Sequence, residues 1–188
     1  MISQERARLS EQLAINGHVV TSAEKLEIAE FEAIATDLIA MVNANDQLTD
    51  GTNAGMIMCK DSTTKAAGSR LVRPILEALF PDNPSAVDDW DMYTVNRYET
   101  GAVFKPHQDY LEKGTVMIIG ACGTRLIDIY NKEPEDDVFK TIDVTYTLSA
   151  GSILLLDAVS DLGHGITCVE GPSISVVGDL ALSLFRDN

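Results

Sequence analysis

Asn96-Arg97-Tyr98-Glu99-Thr100-Gly101-Ala102-Val103-Phe104-Lys105-Pro106-His107-Gln108-Asp109 is the stretch on which the reading of this sequence turns. Two runs of strand character flank a turn at Gly101, and the second ends in His-x-Asp. On a strand, residues two apart point to the same face, so His107 and Asp109 stand side by side. A second histidine, His164, lies far along the chain in Gly163-His164-Gly165-Ile166, where a late strand begins. Its flanking glycines permit a tight backbone beside a metal. Two histidines and one carboxylate form a facial triad that leaves coordination positions open, a set suited to non-haem Fe(II). Zinc also accepts such ligands. A hydrolytic zinc site needs a positioned general base, and the sequence has no His-Glu-x-x-His. The remaining histidine, His18, falls in a helical region and reads as solvated or packed, outside the metal set.

From this stretch to the C-terminus the pattern is all strand. Runs of β-branched and apolar residues fall near 91–98, 102–109, 115–120, 124–130, 139–146, 152–157, 164–169 and 174–186, separated by Gly, Asp, Asn or Pro turns. Upstream of residue 90 the pattern is helical. Ser3 can cap a helix to about Ile15 that Gly17 ends. A longer helix starting at Thr21 or Ser22 carries Leu26, Ile28, Phe31, Ile34, Leu38, Ile39 and Val42 at helical spacing. Gly55–Cys59 reads as a short strand. Leu71, Ile75, Leu76, Leu79 and Phe80 suggest another helix, with Pro74 in its first turn or at a kink. The expectation is an α+β fold of one domain over 1–188. Residues 1–90 supply buttressing helices, and 91–188 supply a double-stranded β-helix, or jelly-roll, core.

With 14 basic and 29 acidic residues the formal charge is −15, which opposes tight non-specific binding to a phosphate backbone. The three cysteines, Cys59, Cys122 and Cys168, form no Cys-x-x-Cys and read as reduced thiols of a cytoplasmic protein. No segment approaches the roughly 20 apolar residues of a membrane span, and the N-terminus has no signal-peptide pattern.

The run Asn96-Arg97-Tyr98, then Gly101-Ala102 and His107-Gln108-Asp109, resembles the core of the AlkB-like Fe(II)/2-oxoglutarate dioxygenases. Leu148–Leu156, His164-Gly165-Ile166 and the terminal Leu184-Phe185-Arg186 are similar to later parts of that core. The resemblance covers about residues 92–188. It implies that His107, Asp109 and His164 hold Fe(II), that Asn96, Tyr98 and Arg186 contact 2-oxoglutarate, and that O₂ and 2-oxoglutarate are consumed as a C–H bond is hydroxylated. On an N-methyl group such hydroxylation gives demethylation. Independently of the resemblance, Asn96 and Tyr98 share a strand face and can both donate to a carboxylate. Arg186 offers a forked, permanently charged donor set.

One departure stands out. The family's last strand carries Arg-x-Asn-x-Thr-x-Arg, and here Leu180 and Leu182 occupy its first Arg and its Asn. The distal carboxylate then falls to Arg186 alone or to another cation, with Arg125 first in line ahead of Lys105 and Arg97; otherwise the cosubstrate is not 2-oxoglutarate. For the primary substrate, the resemblance favours nucleic acid or a nucleotide, and Lys60, Lys65, Arg70 and Arg73 form a modest basic cluster. The −15 charge and the single Trp90 favour a small metabolite, an amino acid or a protein side chain. A non-catalytic metal-binding jelly roll is the reading from a different class. Residues 43–65, rich in Asn, Asp, Thr and Gly, suit a lid.

Overall fold

Two strands of 20 residues each, β5 (Gly114–Glu133) and β8 (Leu162–Ala181), organise the molecule. The computed structural model describes residues 2–44, 56–109, 114–133, 138–157 and 162–185. The first half of β5 pairs with β7 (Ser152–Asp157) and with the second half of β8. The second half of β5 pairs with β6 (Val138–Leu148) and with the first half of β8. Each long strand therefore belongs to two sheets. The major sheet runs β1-β7-β5-β8-β3-β2, where β1 is His18–Ser22, β2 Met56–Cys59 and β3 Asp91–Tyr98. The minor one adds β6 and β4 (Val103–His107) on either side of β5 and β8. All pairings are antiparallel, the arrangement of a double-stranded β-helix.

The crossing from one sheet to the other needs bends. In β5 the register shifts between Gly120 and Arg125, and Gly123 takes φ +69°. A Cβ at Gly123 would also lie 2.6 Å from the Glu170 carbonyl oxygen, so both conformation and space call for glycine.

Strand alternation divides the core in two. Val95, Met117, Ile119, Ile153, Leu155, Ile174, Val176 and Leu180 face a layer of helices. These are α1 (Ile2–Asn16), α2 (Phe31–Ala44) and α3 (Ser62–Leu79), with the short α4 (Ser85–Asp89) beside them. Phe31, Ala35, Leu38 and Val42 of α2 are the buried stripe at helical spacing. Residues of opposite parity, among them Tyr98, Val116, Ile118, Leu154 and Val177, meet Ile127, Ile129 and Ile166 between the sheets. Fully burying side chains of this size contributes about 1.5–3 kcal/mol each. No helix of the described residues is long and apolar enough to cross a membrane.

Several boundaries differ from the expectation. The helix expected from Thr21 or Ser22 begins at Phe31, because Val19-Val20-Thr21 joins the sheet as β1. Leu26 is nevertheless 1% exposed, packed from a turn. Helix α3 starts at Ser62, where Asp61 caps it by accepting from the Thr64 N–H at 2.8 Å, so Pro74 lies in its interior. The runs 115–120 and 124–130 form one bent strand, as do most of 164–169 and 174–186. The last run stops at Ala181, and Leu182–Leu184 form a 3-10 turn. Of the segment 43–65 expected as a lid, residues 45–55 lie outside the described residues. The remainder is the end of α2, β2 and the start of α3.

Candidate metal centre and its pocket

His107 closes β4 and His164 lies early in β8; the two are direct partners across the β4–β8 ladder. Their rings sit with centroids 4.3 Å apart. Asp109, two residues beyond the last position of β4, reaches both: its Oδ1 is 3.6 Å from His107 Nε2 and its Oδ2 is 3.7 Å from His164 Nε2. The ligand atoms of the three residues all lie within 4.8 Å of one another. Metal–ligand bonds of about 2.1 Å place neighbouring donors about 3 Å apart, so side-chain shifts of about 1 Å or less close the set around an ion.

Protonation favours ligation. Burial, with His107 close by, brings the His164 pKa down to about 3, so its ring is neutral and offers a lone pair. His107 Nδ1 is 2.9 Å from the Lys105 carbonyl oxygen. Donating there fixes the tautomer and leaves Nε2 bare toward Asp109. Burial pushes the Asp109 carboxyl up, while His107 pulls it down.

The triad opens onto a cavity of about 280 Å³ between the sheets, lined also by Met56, Met58, Tyr93, Phe104, Ile118 and Val177. Along β3, Thr94, Asn96 and Tyr98 present one polar row to it. The Thr94 hydroxyl donates to Asn96 Oδ1 at 3.1 Å, and Asn96 Nδ2 donates to the Tyr98 hydroxyl at 3.3 Å. Burial raises the Tyr98 phenol well above its ordinary range; the Arg125 charge opposes this and that of Asp109 adds to it. Tyr98 thus stands within the electrostatic reach of both.

Arg125 is 1% exposed on β5, inside the jelly roll. Its Nη1 donates to the Ser173 hydroxyl at 3.0 Å, whereas Nε and Nη2 have no partner among the described residues. Ser175, flanked on the sheet by Asn96 and Gly120, carries a buried hydroxyl that is likewise unpartnered. A Cβ at Gly120 would run into the Ser149 carbonyl oxygen and lie 2.8 Å from Arg125 Nη2, so the glycine makes room for both. An always-charged group buried with spare donors fits an incoming carboxylate.

The structure therefore brings together His107, Asp109, His164, Asn96 and Tyr98 around one cavity; Arg125 does not line it, and its link to it is the charge felt by Tyr98. Arg186 lies outside the described residues. Leu180 is not a gap in the pocket. It points into the helix-facing core, since the inward positions of this part of β8 are Ser173, Ser175 and Val177. His18 is packed against Tyr146, with Nδ1 2.9 Å from the hydroxyl, remote from the triad in the β1–β7 edge of the major sheet. Of the basic cluster, Arg73 pairs with Glu77, and Arg70 and Arg73 line a separate hollow with Trp90; Lys60 lies over Tyr93, which lines the cavity. The sequence reading missed Thr94, which the same two-residue period places beside Asn96. It also missed Ser173, Ser175 and Gly120, which carry no signal without the register.

No protein-family model matches the sequence, nor does any curated protein. Solved structures do match in fold. A prolyl hydroxylase from Trichoplax adhaerens, in complex with a peptide fragment of the hypoxia inducible factor oxygen degradation domain, superposes with a TM-score of 0.63 at 12% identity, covering 98% of this chain and 94% of that one. SnoN, a non-haem α-ketoglutarate-dependent epimerase of nogalamycin biosynthesis, gives 0.62 at 13% identity over 94% and 82%. HygX from Streptomyces hygroscopicus, with nickel and 2-oxoglutarate bound, gives 0.59 at 12% identity over 91% and 85%. The chain shares the double-stranded β-helix fold of 2-oxoglutarate/Fe(II) oxygenases. The likeness is one of fold and does not single out an AlkB-like branch.

Proposed function

We propose that this chain is an Fe(II)/2-oxoglutarate-dependent oxygenase that hydroxylates a C–H bond. The observation that carries the reading is the pairing of a convergent His107-Asp109-His164 triad with a buried, under-partnered Arg125 inside the same jelly roll. The fold neighbours crystallised with 2-oxoglutarate support it. Fe(II) held by the triad supplies the capacity to activate O₂ as the oxo acid is decarboxylated to succinate.

The protein's own residues do the rest. His107, held by the Lys105 carbonyl, and buried, neutral His164 present ring nitrogens, and Asp109 contributes the negative charge. Arg125, steadied by Ser173, takes the distal carboxylate of 2-oxoglutarate, with Ser175 as a further donor. The row Thr94-Asn96-Tyr98 orients an amide and a phenol toward the oxo-acid end. Met56, Met58, Phe104 and Ile166 line the cavity and keep water from the reacting carbon.

For the substrate, a small molecule fits better than nucleic acid. The basic residues expected to meet phosphates are dispersed over α3 and the loop before it, and the cavity is narrow for a nucleobase beside a 2-oxo acid. An AlkB-like substrate therefore rests on the sequence resemblance over about residues 92–188 alone. The competing class, a silent metal-binding jelly roll, leaves the cost of burying Arg125 without a purpose. The test is anaerobic titration of the Fe(II) protein with 2-oxoglutarate, then admission of O₂ with succinate measured. A charge-transfer band followed by succinate is expected; absence of both overturns the assignment.

A further inference from the structure

Tyr93 occupies an irregular place on its strand. The β3–β8 register shifts between Met92 and Thr94, so Tyr93 is the extra residue of a bulge. Bulges re-aim side chains beside functional sites. Here the bulge lets Tyr93 line the metal cavity although its neighbour Thr94 does so too. Tyr93 is 43% exposed, which places it at the mouth. Lys60, on the turn between β2 and α3, lays its ammonium 4.4 Å from the ring centroid, with Nζ donating to the Tyr93 hydroxyl at 3.4 Å. Because the phenol oxygen accepts from Lys60, its own proton is turned toward some other acceptor. No ion pair links Lys60 to a carboxylate among the described residues. Adjacent Asp61 is held by its cap bond to Thr64. In a chain of net charge −15, an ammonium and a phenol O–H free to donate stand together at the lip of this cavity.

We infer that Lys60 and Tyr93 form a rim site for a carboxylate of the primary substrate, which is a small monoanion whose apolar part enters the cavity. The inference rests on the proposed oxygenase reading for the identity of the cavity, not for the rim itself. Cavity size supports a small occupant: about 280 Å³ must hold the 2-oxo acid and the reacting group together, below the usual range for a drug-sized ligand alone. The rest of the substrate then lies at the mouth, where these two side chains wait. One ammonium with one hydroxyl suits a singly charged, two-oxygen group. A phosphate monoester, with nearly two charges and three acceptor oxygens, calls for more donors than the rim supplies.

The test uses matched probes, 4-methylpentanoate, 4-methylpentanamide and isopentyl phosphate, titrated by calorimetry into the full chain loaded with Mn(II) and saturated with 2-oxoglutarate. Saturation keeps the probes off the Arg125 end. The carboxylate is expected to bind about five-fold tighter than the amide, within what a half-exposed ion pair gives, and the preference is expected to shrink as salt rises. Lys60→Gln should erase the preference while leaving the 2-oxoglutarate dissociation constant unchanged, which also shows that the variant is folded. Tyr93→Phe should reduce it partially. Equal binding of carboxylate and amide, a preference that persists in K60Q, or tighter binding of the phosphate would each overturn the inference. If the wild-type chain takes up no 2-oxoglutarate, the oxygenase reading falls instead. The same titrations in an Arg125→Met background, where that end no longer attracts a carboxylate, then decide the rim: loss of the preference with K60Q supports it, and persistence overturns it.

Discussion

Arg125 is expensive to the folded chain and earns nothing there alone. Its guanidinium is buried with Nε and Nη2 unpartnered among the described residues, and burial pulls its pKa down, opposed first by Tyr98. Replacing such a charge with an apolar side chain of similar length is often neutral or stabilising by about 1–4 kcal/mol. Arg125→Met is therefore expected to melt at the same temperature as wild type or higher, while losing 2-oxoglutarate binding by a hundred-fold or more. Thermal denaturation paired with calorimetric titration checks both halves; a strongly destabilised R125M would mean that the arginine is structural. Asp109→Asn is expected to cost at least a hundred-fold in Mn(II) affinity, read by electron paramagnetic resonance, because the triad loses its one anionic ligand. Leu180, by contrast, is fully buried against the helices. Leu180→Arg should not create an anchor for 2-oxoglutarate. It should destabilise the protein by about 4 kcal/mol or more, since no partner awaits the charge.

At the scale of elements, the most legible part of the sequence was the part whose period is unambiguous. Asn96 and Tyr98 follow from two-residue alternation, and the helix-facing stripe of α2 follows from the 3.6-residue period; the strand expected over 102–109 ends at His107, so Asp109 meets His107 from beyond the strand rather than along its face. The bends were less visible. Gly120-Ala121-Cys122-Gly123 reads as a break between strands, and the chain instead carries one strand around a corner there. The misplacement of Leu180 has the same origin: which face a β8 residue takes depends on register beyond the irregularity between Glu170 and Ile174, and a motif alignment does not supply it. Strand β1 was hidden because tertiary pairing with β7 overrode a helical pattern. At the start of α3, Asp61→Ala should cost about 1 kcal/mol through loss of the N-cap. It should also loosen Lys60, so chemical denaturation is expected to show a modest shift in midpoint with an unchanged slope.

For the whole molecule, the helix layer is tied to the jelly roll by a small polar node. Glu5 of α1 accepts from Arg8 at 2.7 Å and from the Thr21 hydroxyl of β1 at 2.6 Å. The Arg8 bond, reinforced by Thr21 against the effect of burial, brings its pKa down to about 2. A depressed carboxyl pKa contributes stability that is present above the unfolded value near 4.3 and is lost as pH falls toward 2. Discounted for the partial exposure of Arg8, the contribution is about 1–2 kcal/mol. Glu5→Gln is expected to lower stability at pH 7 by that amount and to flatten the fall in melting temperature between pH 5 and 2. A parallel offset at every pH would assign the loss to packing.

The double membership of β5 and β8 has a further consequence. Neither sheet can peel away while the other stays whole, because each holds half of the same two strands. Slow amides on the His164 side and on the Leu180 side of β8 should thus exchange with deuterium at one common opening free energy. A ligand that tightens the triad should slow exchange as far away as the strand backbone beneath the helices.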